Sequence, residues 1–177
     1  HKAESDGCDI FHGLSNELPF DIKGRKAKST VTMHDVAWLT FPDMYHWADR
    51  HIYDYKYGNS CKRADKVIAI SESTKRDVMR FYGIPEDRIE VIYQPVQEYY
   101  YSPLPQSDCD RFIREQFGED GLPPYILYVG SINSRKNLLG ALQALTLIPE
   151  EQRPLLLIVG NGREYRHECE AFIQKNH

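Results

Sequence analysis

The sequence lacks an excess of positive charge. Its 177 residues include 22 Lys and Arg against 26 Asp and Glu, so the formal net charge is -4. Because a surface that follows a phosphate backbone normally makes its domain basic, we expect no nucleic-acid partner. Hydrophobic residues make up 41% of the chain and charged residues 27%, a balance that predicts a folded core and indicates neither disorder nor a membrane-embedded chain.

Cysteine is also scarce. The four cysteines, Cys8, Cys61, Cys109 and Cys169, lie far apart, and their spacing matches no metal-binding motif. The sequence shows no secretory signal. We therefore expect no metal site and a cytoplasmic location, where thiols stay reduced.

Apolar strand patterns alternate with helical patterns, as is typical of α/β folds with parallel sheets. The first half predicts strands at Cys8–His12, Ser29–His34, Lys66–Ile70 and Glu90–Tyr93, with helices at Met44–Ala64 and Glu72–Tyr82. Residues 94–124 contain five prolines and three consecutive tyrosines, with one short helix predicted at Cys109–Phe117. The alternation then resumes with strands at Tyr125–Val129 and Pro154–Val159 and helices at Arg135–Leu147 and Arg163–Lys175.

This organisation predicts two Rossmann-like units, both incomplete. We assign the first unit to residues 1–97, an inter-domain connection to residues 98–124 and the second unit to residues 125–177. Each unit is expected to have its own sheet, with a cleft between the two units.

A glycine turn followed by two cations is the first candidate site. The strand Tyr125–Val129 ends at Gly130, and Arg135 and Lys136 stand at the start of the next predicted helix. A helix start offers backbone N–H groups and the positive end of a dipole to an anion. The pattern predicts a site for a nucleotide diphosphate, with the cations stabilising charge on a departing phosphate. An ordinary surface turn explains the same residues equally well on their own.

A second glycine turn, Gly160-Asn161-Gly162, follows the other strand of this unit. A glycine lets a loop approach a nucleotide without a collision at Cβ, and it also suits a plain tight turn. Both interpretations stay open.

His34 closes a predicted strand and is followed by Asp35. Parallel α/β sheets bind ligands at the carboxyl ends of their strands, where this pair stands. On position alone, a histidine hydrogen-bonded to a loop carbonyl is favoured. A metal-dependent His-Asp phosphohydrolase is not indicated, because those enzymes gather several ligands from helices. Ser71, ahead of the helix Glu72–Tyr82, predicts an N-cap.

Three motifs in one order carry a resemblance to a known family. They are Val31–Pro42, Ala64–Asp77, and Tyr128–Ile132 with Arg135, Lys136 and Asn137. Together they resemble the retaining glycosyltransferases of family 4, which have the GT-B fold. Asp9–Gly13 and the Leu18-Pro19 pair are similar to the family's early strand and loop, so the resemblance covers nearly the whole chain.

The resemblance implies transfer of a sugar, with mannose among the candidates, from a nucleotide-diphosphate donor to a hydroxyl of a glycan or lipid-linked acceptor, with retention. His34 would be the catalytic-site residue beside the donor sugar. The donor is a co-substrate, and no cofactor is implied. Residues of the two glycine turns and the cation pair would bind it: Gly130, Ser131, Arg135, Lys136, Gly160 and Gly162. No metal is implied, since the two cations and a helix terminus already offset the phosphate charge.

The family's two domains need about twice this length. We therefore expect an internal fragment that is inactive by itself, with the family's glutamate-rich motif beyond His177. Ser131 stands where many relatives carry Arg. A noncatalytic GT-B-like protein that binds a sugar nucleotide or another subunit stays open. A GT-B epimerase is less favoured, because its catalytic carboxylates have no counterpart here. Peripheral membrane association of the full-length protein also stays open.

Overall fold

The computed structural model describes residues 5–22, 24 and 26–176. The chain divides into two compact units, His1–Val96 and Gln97–His177. Each unit has a separate sheet in which every strand pairing is parallel. The predicted α/β class with parallel sheets is confirmed.

Within the described residues, the N-terminal unit consists of a four-stranded sheet crossed by helices. Its elements in chain order are β1 (Ile10–Gly13), β2 (Lys28–Met33), α1 (Ala37–Thr40), α2 (Trp47–Arg63), β3 (Lys66–Ala69), α3 (Glu72–Tyr82) and β4 (Ile89–Val91). The strands lie in the order β1-β2-β3-β4. Parallel neighbours need crossover connections, and α2 and α3 supply two of them.

The core of this unit lies between the sheet and its helices. Alternate residues of the central strands are fully buried, among them Val31 and Met33 on β2 and Val67 and Ala69 on β3. This alternation follows from the two-residue repeat of a strand, which turns successive side chains to opposite faces. Trp38 on α1 is only 3% exposed and belongs to the same core.

Helix α3 has the ends that its sequence predicts. The Ser71 hydroxyl accepts a hydrogen bond from the Thr74 N–H at 3.1 Å, which satisfies one donor of the first turn. Gly83 ends the helix in the left-handed conformation, with φ of 64°, and its N–H donates to the Met79 carbonyl at 3.0 Å. The predicted bounds of this helix are confirmed.

The helix predicted at Met44–Ala64 is divided in the structure. A 3-10 turn at Pro42–Met44 comes first, and α2 begins only at Trp47 because His46 has an extended backbone, with ψ of 139°. The short helix α1 was not predicted, since its four residues are too few to show a helical repeat.

The described part of the C-terminal unit has a two-stranded sheet and three helices. Its elements are α4 (Gln106–Phe117), β5 (Tyr125–Val129), α5 (Leu138–Thr146), β6 (Leu155–Val159) and α6 (Glu164–Lys175). Leu138, Leu142 and Cys169 are its most buried hydrophobic residues together with Ile132. No helix in the described portion of the chain is both long and apolar enough to span a bilayer.

The predicted helix Arg135–Leu147 is wrong in its first turn. Ser134–Lys136 form a separate 3-10 turn, and α5 begins at Leu138. Asn137 lies between them with φ of 51°, a left-handed conformation that an α helix does not include. Arg135 and Lys136 therefore precede the α helix instead of beginning it.

Asp65 joins the starts of the two central strands. Its carboxylate accepts from the Ser29 N–H at 2.8 Å and from the Ser29 hydroxyl at 3.0 Å, while Lys28 Nζ lies 3.7 Å away. Hydrogen bonding from the Ser29 backbone is the largest cause that lowers the pKa of Asp65, despite some opposing desolvation. A lowered carboxyl pKa means that folding favours the charged form.

Asp65→Asn is expected to destabilise the protein by about 1 kcal/mol at pH 7, a small value because the side chain is partly exposed. Since the folded-state pKa is lowered, this contribution is complete above the unfolded-state pKa of about 4 and is lost as the pH falls through the folded-state value. Urea denaturation at pH 7 and at acid pH measures the difference. Asp120→Asn is the control, and a difference that persists unchanged in acid contradicts the assignment.

Candidate functional site

The two strands of the C-terminal sheet both end in glycine turns. Gly130 follows β5 and donates its N–H to the Val159 carbonyl at 3.0 Å. Beyond it, the Ile132 N–H donates to the Asn161 carbonyl at 2.7 Å, and Ile132 forms a parallel bridge with Gly162. The hydrogen-bonded ladder therefore continues past the strands and joins one turn to the other.

The second turn needs its glycines because of the first turn. A Cβ at Gly160 would lie 1.8 Å from the Gly130 carbonyl oxygen, and a Cβ at Gly162 would lie 2.4 Å from the Ile132 carbonyl oxygen. Neither contact can be relieved by a side-chain rotation, because both neighbours are backbone atoms. The close approach that requires these glycines thus arises inside the chain, and contact of Gly160 and Gly162 with a nucleotide stays a prediction.

Gly130 has open space on its Cβ side. A Cβ built at this position meets no atom within 4 Å, and its φ of 153° is a value that residues with side chains rarely adopt. The Cβ side of Gly130 is therefore open, unlike those of Gly160 and Gly162.

Asn133 fixes the segment between this turn and the cations. Its amide nitrogen donates to the Ser131 hydroxyl at 2.9 Å, and its Oδ1 accepts from the Lys136 N–H at 3.2 Å. The Tyr128 hydroxyl donates to the Ser131 carbonyl at 3.2 Å. Asn133 was missed as a site residue, although an asparagine three residues before Lys136 is an N-cap signal.

Arg135 and Lys136 present their charges to solvent. Both side chains are exposed, and among the described residues neither has a hydrogen bond or an ion pair. The start of helix α5 is less available to an anion, because the Leu139 N–H there donates to the Tyr165 hydroxyl at 2.9 Å. An anion at this turn would be attracted chiefly by the two side-chain charges.

A cavity of about 250 Å³ lies beside Gly160, and Arg166 and Glu170 line part of it. These two side chains pair with each other at 2.7 Å, and the hydrogen bond from Arg166 is the largest cause that lowers the pKa of Glu170. The charge of Arg166 is therefore balanced within α6, unlike the charges of Arg135 and Lys136.

His34, the predicted end of the strand, is the first residue after β2, which ends at Met33, and it is half-buried. Its backbone N–H donates to Asn16 Oδ1 at 2.9 Å, and its carbonyl accepts from the Thr74 hydroxyl at 3.1 Å. Its ring nitrogens lie 3.0 Å from the Leu14 carbonyl and 3.2 Å from the Gln94 amide nitrogen. The structural partner expected from position, a loop carbonyl, is present, and a role toward a sugar stays a prediction.

Asn16 and Gln94 were not predicted to contribute to this site. Asn16 has φ of 61°, and its N–H donates to the Thr32 carbonyl at 2.9 Å, so the loop after β1 folds over the end of β2. Gln94 lies 60 positions from His34 along the chain. An interaction across that separation leaves no local sequence pattern.

The described residues contain no group of three or more His, Cys, Asp or Glu side chains that could hold a metal ion. Asp108-Cys109-Asp110 has an Asp-x-Asp spacing, but it lies near the start of α4. There Asp108 pairs with Arg111 at 3.0 Å, and Asp110 accepts from Gln106 at 2.8 Å. These carboxylates have partners within their own helix.

Comparison with known proteins gives two family matches. The protein-family model described as Glycosyltransferase Family 4 matches residues 3–98. The family model described as Glycosyl transferases group 1 matches residues 110–176. Together these two matches extend from the first strand to the last helix.

Two curated proteins are similar to the chain over part of their length. The O-antigen chain mannosyltransferase B of Escherichia coli is 32% identical over 160 residues, which are 88% of this chain and 40% of that protein. The D-inositol 3-phosphate glycosyltransferase of Xylanimonas cellulosilytica is 31% identical over 102 residues, which are 56% of this chain and 24% of that protein. The chain thus spans less than half the length of these relatives.

Solved structures share the fold. WaaG, described as a glycosyltransferase involved in lipopolysaccharide biosynthesis, matches with a TM-score of 0.66 at 19% identity, over 99% of this chain and 49% of that one. HepE of Anabaena in complex with UDP matches with a TM-score of 0.64 at 18% identity, over 85% of this chain and 39% of that one. At these identities the likeness concerns the fold alone, and the predicted GT-B type is confirmed.

Gly160→Ala is expected to destabilise the protein by about 1–3 kcal/mol without any nucleotide, because the added methyl group collides with the Gly130 carbonyl. Urea denaturation followed by circular dichroism measures the loss. Gly140→Ala is the matched control, since the three atoms nearest to its added Cβ all belong to the Asn137 side chain, which can move away. Equal stability of the Gly160→Ala variant and the natural protein would show that the turns are not packed as described.

Proposed function

The chain belongs to glycosyltransferase family 4, and from that membership we propose that the full-length protein transfers a sugar from a nucleotide-diphosphate donor to an acceptor hydroxyl. The observation that carries this proposal is the pair of exposed cations, Arg135 and Lys136, that follow the open glycine turn at Gly130. Transfer releases a nucleoside diphosphate, whose charge grows as the glycosidic bond breaks.

The cation pair suits that leaving group. Charge-assisted hydrogen bonds to phosphate oxygens strengthen as negative charge develops, so they lower the barrier more than they stabilise the bound donor. Asn133 holds the Lys136 backbone, and the lysine side chain therefore extends from a fixed position. Gly130 would let the diphosphate approach the backbone, with Ser131 beside it.

His34 is proposed to lie next to the donor sugar. Its backbone is held by Asn16 and Thr74, so the ring projects from a fixed point at the carboxyl end of β2. A ring nitrogen could accept a hydrogen bond from a sugar hydroxyl and orient the donor for reaction with retention. Gly160 and Gly162 would contribute backbone room for the nucleotide.

Relatives suggest the chemical class of each substrate. The similarity to a protein named as a mannosyltransferase of O-antigen chains makes mannose the first sugar to test and a glycan the first acceptor. UDP bound to HepE supports a nucleoside diphosphate as the carrier. A cytoplasmic location agrees with the four free cysteines. If the acceptor is lipid-linked, it would bring the full-length protein to a membrane surface.

A donor-hydrolysis and transfer screen of the full-length protein tests the proposal. Nucleotide sugars that vary in base and in sugar are incubated with the protein, and release of the nucleoside diphosphate is measured. Turnover of one donor supports the enzyme. Tight nucleotide binding without turnover of any donor, with or without glycan acceptors, would favour the noncatalytic sugar-nucleotide-binding alternative.

Lys136→Ala in the full-length protein is expected to raise the barrier to transfer by about 2–4 kcal/mol, the range for loss of one preorganised charge-stabilising donor. Binding of UDP or GDP should weaken more than binding of uridine or guanosine, because only the diphosphates carry the charge that Lys136 meets. Isothermal calorimetry measures all four. Lys175→Ala is the control in the same unit, and an equal loss for nucleoside and diphosphate would remove Lys136 from the phosphate site.

His34→Ala in the full-length protein is expected to lower kcat/KM by about 10²-fold or more, as is typical of a positioned catalytic group. Because the ring also contacts Leu14 and Gln94, thermal unfolding of the variant is measured beside its turnover. His46→Ala, at an exposed position, is the control. Normal turnover in a folded His34→Ala variant would leave this histidine with a structural role only.

A further inference from the structure

The contacts of the His34 ring define which nitrogen carries the proton. Nε2 lies 3.0 Å from the Leu14 carbonyl oxygen, which can only accept, so Nε2 is the donor. Nδ1 lies 3.2 Å from the Gln94 amide nitrogen, which can only donate, so Nδ1 is the acceptor. Both contacts agree on one neutral tautomer, with the proton on Nε2.

We infer that Gln94 is a positioning residue, which together with the Leu14 carbonyl holds His34 in the Nε2–H tautomer and leaves Nδ1 as its acceptor. The opposite tautomer would direct a lone pair at the carbonyl oxygen and an N–H at the amide nitrogen. Turning the Gln94 amide over would repair only the second of these contacts. Only the Nε2–H tautomer therefore gives both ring nitrogens a matching partner, with Nε2 donating to Leu14 and Nδ1 accepting from Gln94.

The Leu14 carbonyl is itself held in place. The loop that contains it is bound to β2 through Asn16, whose N–H donates to Thr32 and whose side chain accepts from the His34 backbone. At the start of the loop, a Cβ at Gly13 would lie 2.1 Å from the Glu17 carbonyl oxygen, so the backbone there is closely packed. Because Asn16 and the packing at Gly13 hold the loop independently of the His34 ring, the loop can fix the position of that ring.

The inference rests on the proposed function only in its consequence for the substrate. Nε2 is committed to the loop, so Nδ1 is the ring atom available to a donor-sugar hydroxyl. A hydroxyl donates a hydrogen bond as the Gln94 amide does, and it can take the place of that amide without a change of tautomer. Gln94 thereby keeps the ring ready for a hydroxyl donor.

Nitrogen-15 NMR of the full-length protein, labelled at histidine, tests the tautomer. The ring nitrogen shifts distinguish a protonated from an unprotonated nitrogen, and His34→Gln assigns the signals. We expect the Nε2–H form in the natural protein and a shift of the Nδ1 signal in Gln94→Leu. In Gln94→Glu a carboxylate faces Nδ1, so we expect protons on both nitrogens. Gln97→Leu is the matched control and should leave the ring signals unchanged.

Two results would overturn the inference: a proton on Nδ1 in the natural protein, or ring signals that stay in place in both Gln94 variants while their amide spectra show a folded protein. The readout is independent of turnover. The Nε2–H form in a protein whose His34→Ala variant retains full activity supports the inference and removes His34 from catalysis. A proton on Nδ1, with activity lost in His34→Ala, overturns the inference about the tautomer and supports the proposed role of His34 in catalysis.

Discussion

Close approach of one backbone segment to another at the ends of strands is the constraint on which the candidate site residues of each unit depend. In the N-terminal unit the loop after β1 returns so tightly that Gly13 has no room for a Cβ. In the C-terminal unit the turns after β5 and β6 meet in the same way, at Gly160 and Gly162. Main-chain atoms carry these contacts, so the surrounding polar side chains stay free to hold particular residues in place.

An asparagine side chain then performs the same task in each unit. Asn16 Oδ1 accepts from the backbone N–H of His34, and Asn133 Oδ1 accepts from the backbone N–H of Lys136. The residue proposed for the sugar and the residue proposed for the phosphate are thus both fixed at their main chain. Fixing the main chain in this way removes the backbone part of the ordering cost when a ligand binds.

The sequence predicts much of the fold because strands and helices repeat with different periods. The bounds of α3 and β5 follow from apolar spacing and from Ser71 and Gly83 at the ends of the helix. The break at Asn137 was missed, since a single left-handed residue does not interrupt the apolar pattern that continues into α5. Gln94 was missed because its contact with His34 spans 60 residues. Asn16 was missed because it lies in a loop whose conformation brings it to His34, and such a conformation leaves no periodic pattern in the sequence.

The packing of the two C-terminal turns also restricts how this site can change over evolution. Positions 160 and 162 cannot accept a larger residue without moving the carbonyls of Gly130 and Ile132, so neither can contribute a new side chain to ligand selection. Ser131 is exposed and is not restricted in this way. Under the proposed function, a change in donor preference at these turns would therefore involve positions such as Ser131, while the glycines keep the backbone of the turns unchanged.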